Sequence, residues 1–109
     1  MESLETAIFQ LILHGGNGRS LAMEAIISAK EGDFAKAKEL LQQSGEALAE
    51  AHHVQTSFIQ GEIRGEKVEV SLLMIHAQDH LMNAMTVKDL AAEIVEMHER
   101  LSKLGGVMV

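Results

Sequence analysis

The residues best suited to chemistry lie in one stretch of this sequence, VSLLMIHAQDHLMNAM, which spans residues 70–85. His76 and His80 are four residues apart, so a helix would place their side chains next to each other on one face. Asp79 would lie just beside this pair, whereas Gln78 would project elsewhere. Such a face can bind a metal ion, act as a general base or use an imidazole as a nucleophile toward phosphorus.

Residue type and spacing alone leave several interpretations of the histidine pair open. Zinc usually takes three or four ligands, and this spacing lacks the glutamate base of an H-E-x-x-H site. A hydrolase needs a substrate cleft, but the sequence offers neither an aromatic lining nor a glycine-rich phosphate loop. A neutral imidazole can accept a phosphoryl group reversibly near neutral pH, which suits a plain scaffold. The pair can also be purely structural, hydrogen-bonded in a core.

Length and composition restrict the classes of function further. A chain of 109 residues is long enough for one domain, which we assign to residues 1–109. The absence of cysteine excludes disulfides, cysteine-ligated zinc and thiol catalysis, and it fits a cytoplasmic location. A net charge of −7 without a Lys/Arg cluster disfavours nucleic-acid binding. With no signal peptide and no long apolar run, we expect a soluble protein that does not insert into a membrane.

Three helices are predicted, over about residues 3–30, 33–60 and 70–104. Ser3 and Asp33 are suitable N-caps for the first two helices. The connection between those two helices is very short, and short connections make helices antiparallel neighbours. Each predicted helix ends at a glycine, namely Gly32, Gly61 and the pair Gly105 and Gly106.

The first predicted helix contains the glycine-rich segment HGGNGRS, residues 14–20. Each of its glycines costs a helix roughly 1 kcal/mol relative to alanine, so tertiary structure must offset that cost. Either the helix breaks here or a neighbouring helix approaches its backbone closely. The apolar pattern resumes in register after Ser20, which favours a continuous helix.

Apolar residues at alternating three-four spacing predict the inner faces of the other two helices and a coiled-coil-like packing. The predicted inner stripe of helix two is Phe34, Ala37, Leu41, Ser44, Leu48, Ala51, Gln55 and Phe58. That of helix three is Leu73, His76, His80, Asn83, Val87, Leu90, Ile94, Met97, Leu101 and Leu104. Further apolar residues beside the second stripe predict a homo-oligomer in which helices pack between subunits.

The string HAQDHLM, residues 76–82, resembles the active-site motif of the enzyme IIA components of the lactose, cellobiose and diacetylchitobiose phosphotransferase systems. The similarity continues along the chain in GNGRSLAMEAI (16–26), EGDFAKAKELL (31–41), EAHHVQT (50–56) and MHERL (97–101). The resemblance implies an all-α, antiparallel three-helix bundle that assembles into a homotrimer.

This resemblance also implies a function. The first motif histidine, here His76, would accept a phosphoryl group from phospho-HPr and pass it to a cysteine of the IIB component, which serves the membrane component IIC. Ala77 resembles the cellobiose and chitobiose members, so the implied sugar is cellobiose or a related β-glucoside. The alternative is a IIA-like regulatory module that signals sugar status to a regulator or transporter.

The other motif residues receive expected roles from the same resemblance. Asp79 would lie toward the threefold axis, where three copies share a divalent cation, which we expect to be Mg²⁺. Gln78 and His80 would orient the reacting histidine or donate hydrogen bonds to the phosphoryl oxygens. His52 and Gln55 match a second motif and either approach the site or, for Gln55, set the register of the helices.

Overall fold

The structure, a computed structural model, describes residues 3–104, which form three α-helices and no strand. They are α1 (Leu4–Lys30), α2 (Phe34–Ile63) and α3 (Leu72–Lys103). Consecutive helices are antiparallel: the start of α1 lies beside the end of α2, and the start of α2 contacts the end of α3 while its end contacts the start of α3. The predicted all-α three-helix fold is therefore confirmed, while the homotrimer and its coiled-coil-like packing remain predictions. No helix in residues 3–104 is long and apolar enough to span a bilayer.

The ends of α1 and the start of α2 follow the predicted capping chemistry. The hydroxyl of Ser3 accepts a hydrogen bond from the Thr6 amide at 3.1 Å. The Asp33 carboxylate accepts one from the Lys36 amide at 3.1 Å. Gly32, between these helices, has a φ of 84°, in the left-handed region that favours glycine. The short turn and its two flanking helix ends are thus fixed by local sequence.

The end of α2 differs from the prediction, because the helix continues through Gly61 to Ile63. The left-handed residue of this turn is Gly65, with a φ of 89°. Gly61 is buried because the chain folds back over it, and the Glu66 amide donates a hydrogen bond of 2.8 Å to its carbonyl. The glycine at which α2 was expected to end therefore serves close packing inside the helix.

The start of α3 also lies later than predicted, at Leu72 instead of Val70. Ser71 caps the helix, because its hydroxyl accepts a hydrogen bond of 3.1 Å from the Met74 amide. The predicted stop at Gly105 and Gly106, the tail after it and the outer limits of the predicted 1–109 domain lie outside the described residues.

The interior of the bundle is lined mainly by alanine. The buried apolar residues are Ala7, Ile8, Leu11, Ala22, Ala25, Ala29, Ala37, Leu40, Leu48, Ala51, Met74, Ala77, Leu81, Ala84, Ala91 and Val95. Small side chains let the helix axes approach closely. Little interior space is then left for larger apolar side chains, and many of them are exposed on the surface of the bundle. Most of the predicted inner stripe of α2 is confirmed, with Ser44 and Gln55 as its buried polar members, but Leu40 is buried where Leu41 was predicted.

The predicted inner stripe of α3 is wrong. The face that packs against α1 and α2 comprises Met74, Ala77, Leu81, Ala84, Ala91 and Val95. The predicted stripe, which begins at Leu73 and His76, lies beside this face and contains exposed residues such as Leu90 and Met97. The prediction followed the larger apolar side chains, but close helix packing selects the alanines. This rotation of α3 turns both motif histidines away from the core.

The glycines of α1 do not break the helix, which confirms the prediction of close approach. A Cβ on Gly18 would lie 2.5 Å from Leu48 Cγ. The buried Ser44 hydroxyl donates a hydrogen bond of 2.6 Å to the Gly18 carbonyl. At this point the backbone of α1 packs directly on α2.

Candidate functional site

His76 and His80 lie one turn apart near the start of α3. His76 is exposed and His80 is half-buried, and their rings are stacked with centroids 5.8 Å apart and planes inclined by 24°. The predicted neighbourhood of the two side chains is confirmed. Because His76 faces solvent, the interpretation of the pair as hydrogen-bonded core residues is wrong for this chain. An exposed imidazole is free to meet a reactant carried by another protein.

The ring of His80 lies against the backbone of α1. A Cβ built on Gly15 would be 3.3 Å from His80 Cδ2, and one on Gly16 would be 3.2 Å from His80 Nε2. An open groove of about 690 Å³ runs beside this contact, and its walls include Phe9, Leu13 and His80. His80, but not His76, thus lines a partly apolar groove beside α1.

Gln78 occupies a different side of α3. Its Oε1 accepts a hydrogen bond of 2.6 Å from Gln55 Nε2, and its own amide lies 3.7 Å from Met74 Sδ. Within one chain the structure brings Gln78 to Gln55 and not to His76. The burial of Gln55 supports its role in fixing the register of α2 and α3. A contact between Gln78 and phosphoryl oxygens stays a prediction.

Asp79 is exposed on the α3 face next to the histidines. Asn83 Nδ2 donates a hydrogen bond of 3.3 Å to its Oδ2, a contact that follows from the i, i+4 spacing of the two residues. Asp79 borders a groove between α2 and α3 with apolar walls that include Ile75 and Met82. An acidic group is therefore set within an apolar surface.

Within residues 3–104, no group of three or more His, Asp or Glu side chains is placed to hold a metal ion. The interpretation of His76, Asp79 and His80 as a complete metal site of one chain is therefore wrong. A cation site that Asp79 shares with other copies of the chain stays a prediction.

His52 is exposed on α2 and lines a smaller groove of about 220 Å³ together with Met85, Lys88 and Asp89. These α3 residues lie more than two turns beyond His76 along the helix. The structure therefore does not bring His52 to the histidine pair. Although His52 matches the second motif in sequence, it does not contact His76 or His80 within this chain.

A family model described as "PTS system, Lactose/Cellobiose specific IIA subunit" matches residues 6–99. The chain belongs to this family. The matched residues include all of α2, most of α1 and α3 and the whole histidine motif, so the resemblance read from the sequence is confirmed.

Members of the lactose/cellobiose IIA family resemble this chain over nearly its full length. The lichenan-specific phosphotransferase enzyme IIA component of Bacillus subtilis is 59% identical over 108 residues, which cover 99% of this chain and 98% of the relative. The crystal structure of the cellobiose-specific enzyme IIA from Bacillus anthracis aligns with a TM-score of 0.91 at 55% identity, covering 96% of each chain. The Escherichia coli chitobiose IIA, solved in complex with HPr, aligns with a TM-score of 0.81 at 47% identity. The alignment covers 94% of this chain and 99% of the E. coli chain.

Proposed function

We propose that this IIA protein is a phosphoryl carrier, in which His76 accepts a phosphoryl group from phospho-HPr and passes it to a cysteine of the cognate IIB component. The observation that carries the proposal is the exposed His76 ring stacked on His80 at the motif position of the family. A relative with 47% identity was solved in complex with HPr, which supports HPr as the donor. The protein is thus a phosphotransferase component.

Both transfers are nucleophilic substitutions at phosphorus. In the first, a ring nitrogen of His76 attacks the phosphorus carried by HPr, and a new N–P bond forms as the bond to the HPr side chain breaks. In the second, the IIB cysteine sulfur attacks, and an S–P bond forms as the N–P bond on His76 breaks. The exposure of His76 serves both steps, because each partner must bring its reacting atom to the same ring.

We further propose cellobiose or a related β-glucoside as the sugar, to be taken up through IIB and the membrane component IIC. The names of two relatives, lichenan-specific and cellobiose-specific, support this choice. Ala77 is buried in the bundle, so the residue that resembles the cellobiose members acts on the scaffold and not on the sugar. Transport by a strain without its own IIA, complemented with this chain and grown on a panel of disaccharides, would identify the substrate.

We also propose a homotrimer in which three Asp79 carboxylates converge on a shared divalent cation, with Mg²⁺ the expected ion. Large apolar side chains lie exposed around Asp79, notably Leu72, Ile75 and Met82, and burial between subunits would remove them from water. Three converging carboxylates repel one another unless a cation or protons neutralise them. Oxygen ligands suit Mg²⁺, and Asp79 has only the Asn83 amide as its hydrogen-bond donor among the described residues.

Phosphorylation in a reconstituted relay tests the carrier function. After incubation with phosphoenolpyruvate, enzyme I and HPr, mass spectrometry should find one added phosphoryl group per subunit, and added IIB should remove it. His76→Ala should take up none, whereas His98→Ala, changed near the other end of α3, should behave as the unaltered chain.

Two outcomes would overturn the proposal. Uptake of phosphate by His76→Ala would show that another residue is the acceptor. Phosphorylation of His76 without transfer to any IIB would favour the regulatory module instead, because the signal would then end on this protein.

A further inference from the structure

Three glycines occur within residues 15–18 of α1, where alanine would stabilise the helix by roughly 1 kcal/mol at each position. The packing of Leu48 and Ser44 accounts for Gly18. Gly16 has a different neighbour. Among the described residues outside its own helix turn, a Cβ on Gly16 would meet within 4 Å only two atoms, His80 Nε2 at 3.2 Å and His80 Cε1 at 3.9 Å. The missing side chain of Gly16 therefore makes room for one imidazole ring.

His80 is in turn stacked on the reacting histidine, with 5.8 Å between ring centroids. His80 is half-buried, whereas His76 is exposed and is not held by surrounding side chains as a core residue is. An exposed side chain samples several rotamers unless a neighbour restricts it. The one aromatic neighbour of His76 in the described part of the chain is thus a ring whose own position is set by α1.

We propose that Gly16 is a positioning residue for the phosphoryl relay: it lets the His80 ring lie against the backbone of α1, and His80 in that position orients the ring of His76. This inference rests on the proposed role of His76 as acceptor. Gly15 assists, but its Cβ would also approach the backbone of Leu81 at 3.5 Å, so it additionally sets the spacing of α1 and α3.

The catalytic consequence follows from the geometry of in-line transfer. The attacking nitrogen must point at phosphorus along the axis of the bond that breaks, and a misplacement of about 1 Å can cost on the order of 100-fold in rate. A methyl group at Gly16 would crowd His80 Nε2, so the His80 ring would have to give way by a few tenths of an ångström. Because the His76 ring is stacked on that ring, we expect His76 to spend less time in the reactive orientation.

The test is the single-turnover rate of phosphoryl transfer at saturating phospho-HPr, measured on the full chain. We expect Gly16→Ala to lower the rate roughly threefold and Gly16→Val by about tenfold. The matched control is Gly45→Ala on α2, where the added Cβ would have only Lys88 Cε nearby, at 3.8 Å. The control should transfer at the unaltered rate. In NMR spectra the ring-proton shifts of His76 should move in the Gly16 variants and not in the control.

Combination with His80→Ala separates orientation through His80 from other effects of the substitution. His80→Ala should itself slow transfer, and Gly16→Ala should then slow it no further, since the ring it displaces is gone. A Cβ that obstructed HPr directly, or that merely distorted α1, would still slow transfer in the His80→Ala background, and either result would refute the proposal. An unchanged rate in His80→Ala or in both Gly16 variants would refute it as well.

Failure of this inference is distinguishable from failure of the carrier function. If His76 is not phosphorylated in the unaltered chain, the carrier proposal itself fails. If His76 is phosphorylated at full rate in every Gly16 variant, the carrier stands and only the positioning role is lost.

Discussion

Gln55 lies buried between α2 and α3, where its amide donates to Gln78 at 2.6 Å and reaches Met82 Sδ at 3.6 Å. A buried hydrogen-bonded pair of this kind fixes the relative height of two helices, because a shift of either one separates the partners. Gln78 is close in sequence to His76, the proposed phosphoryl acceptor. The register of α3, and with it the height of the His76 ring on the bundle, is therefore tied to α2.

Replacing one member of this pair should cost more than replacing both. Gln55→Leu leaves Gln78 Oε1 without its donor, so we expect the free energy of unfolding to fall by about 1–2 kcal/mol. The double variant Gln55→Leu/Gln78→Leu should recover part of that loss, because no amide is then left unpaired. Urea unfolding of the single and double variants measures the coupling.

The exposed Gln43→Leu serves as the control and should change stability by less than about 0.5 kcal/mol. Strictly additive losses in the double variant would show that the two glutamines act independently.

At the scale of residues, the sequence predicted the contacts that depend on helix geometry alone. His76 and His80 are neighbours because residues four apart on a helix always are. The contact of Gln78 with Gln55 depends on how α3 is rotated about its own axis, and the larger apolar residues pointed to the wrong rotation. The contact of His80 with Gly16 could not be predicted for the same reason.

At the scale of elements, α1 is the helix on which the other two pack, and its glycines are placed at the points of closest approach. Gly18 faces Leu48 on α2, while Gly15 faces Leu81 on α3. The continuity of α1 through these glycines was predictable, because the apolar register is maintained. The neighbours that approach them were not, since each lies on another helix.

Gly18→Ala should destabilise the protein even though alanine is the better helix former. Its Cβ would lie 2.5 Å from Leu48 Cγ and 2.6 Å from Leu48 Cδ2. Overpacking of this kind costs about 1–3 kcal/mol, which exceeds the gain of at most about 1 kcal/mol from helix propensity. Thermal or urea unfolding should show a net loss.

The same substitution at Gly45, where the nearest atom would be Lys88 Cε at 3.8 Å, should raise stability by up to about 1 kcal/mol. Equal stabilisation at both positions would mean that α1 and α2 are not packed as closely at Gly18 as the structure has them.

The helix ends show which local signals are decisive. Ser3, Gly32 and Asp33 act as predicted, because capping and left-handed turns involve only adjacent residues. Gly61 was assigned to a helix end and is instead inside α2, where the returning chain packs on it. A glycine required for close packing and a glycine required for a turn look the same in a sequence.

At the scale of the whole molecule, the bundle keeps small residues inside and carries larger apolar ones outside. Leu72 is 83% exposed and Ile63 is 80% exposed, at the end of the bundle that bears the histidine pair. Their exposure in a single chain is the physical reason to expect assembly, as the apolar excess in the sequence already predicted. Beyond that prediction, the structure shows that two of the most exposed apolar residues lie at the end of the bundle with the histidine pair.

Asp79→Leu should keep the proposed trimer intact and strengthen it. Replacing three converging carboxylates by apolar groups removes their repulsion, and such replacements stabilise by about 1–4 kcal/mol in comparable buried sites. Sedimentation should find a trimer, and its melting temperature should no longer respond to Mg²⁺ or to a chelator. The unaltered chain should lose stability when the chelator is added.

Asp89→Leu is the matched control, because this carboxylate is also exposed on α3 but lines the groove with His52. It should leave the response to Mg²⁺ unchanged. A monomeric Asp79→Leu, or an equal effect of both substitutions, would contradict the axial placement of Asp79.

The alanine-lined interior also has an evolutionary consequence. Ala77, Ala84 and Ala91 have no exposed surface, so a larger side chain at any of them would force the helices apart. Changes of size and charge that adapt the protein to a new donor or acceptor are therefore best accommodated at the outward residues, which can vary without disturbing the scaffold. A lineage of such proteins can exchange partners while its helices keep the same spacing.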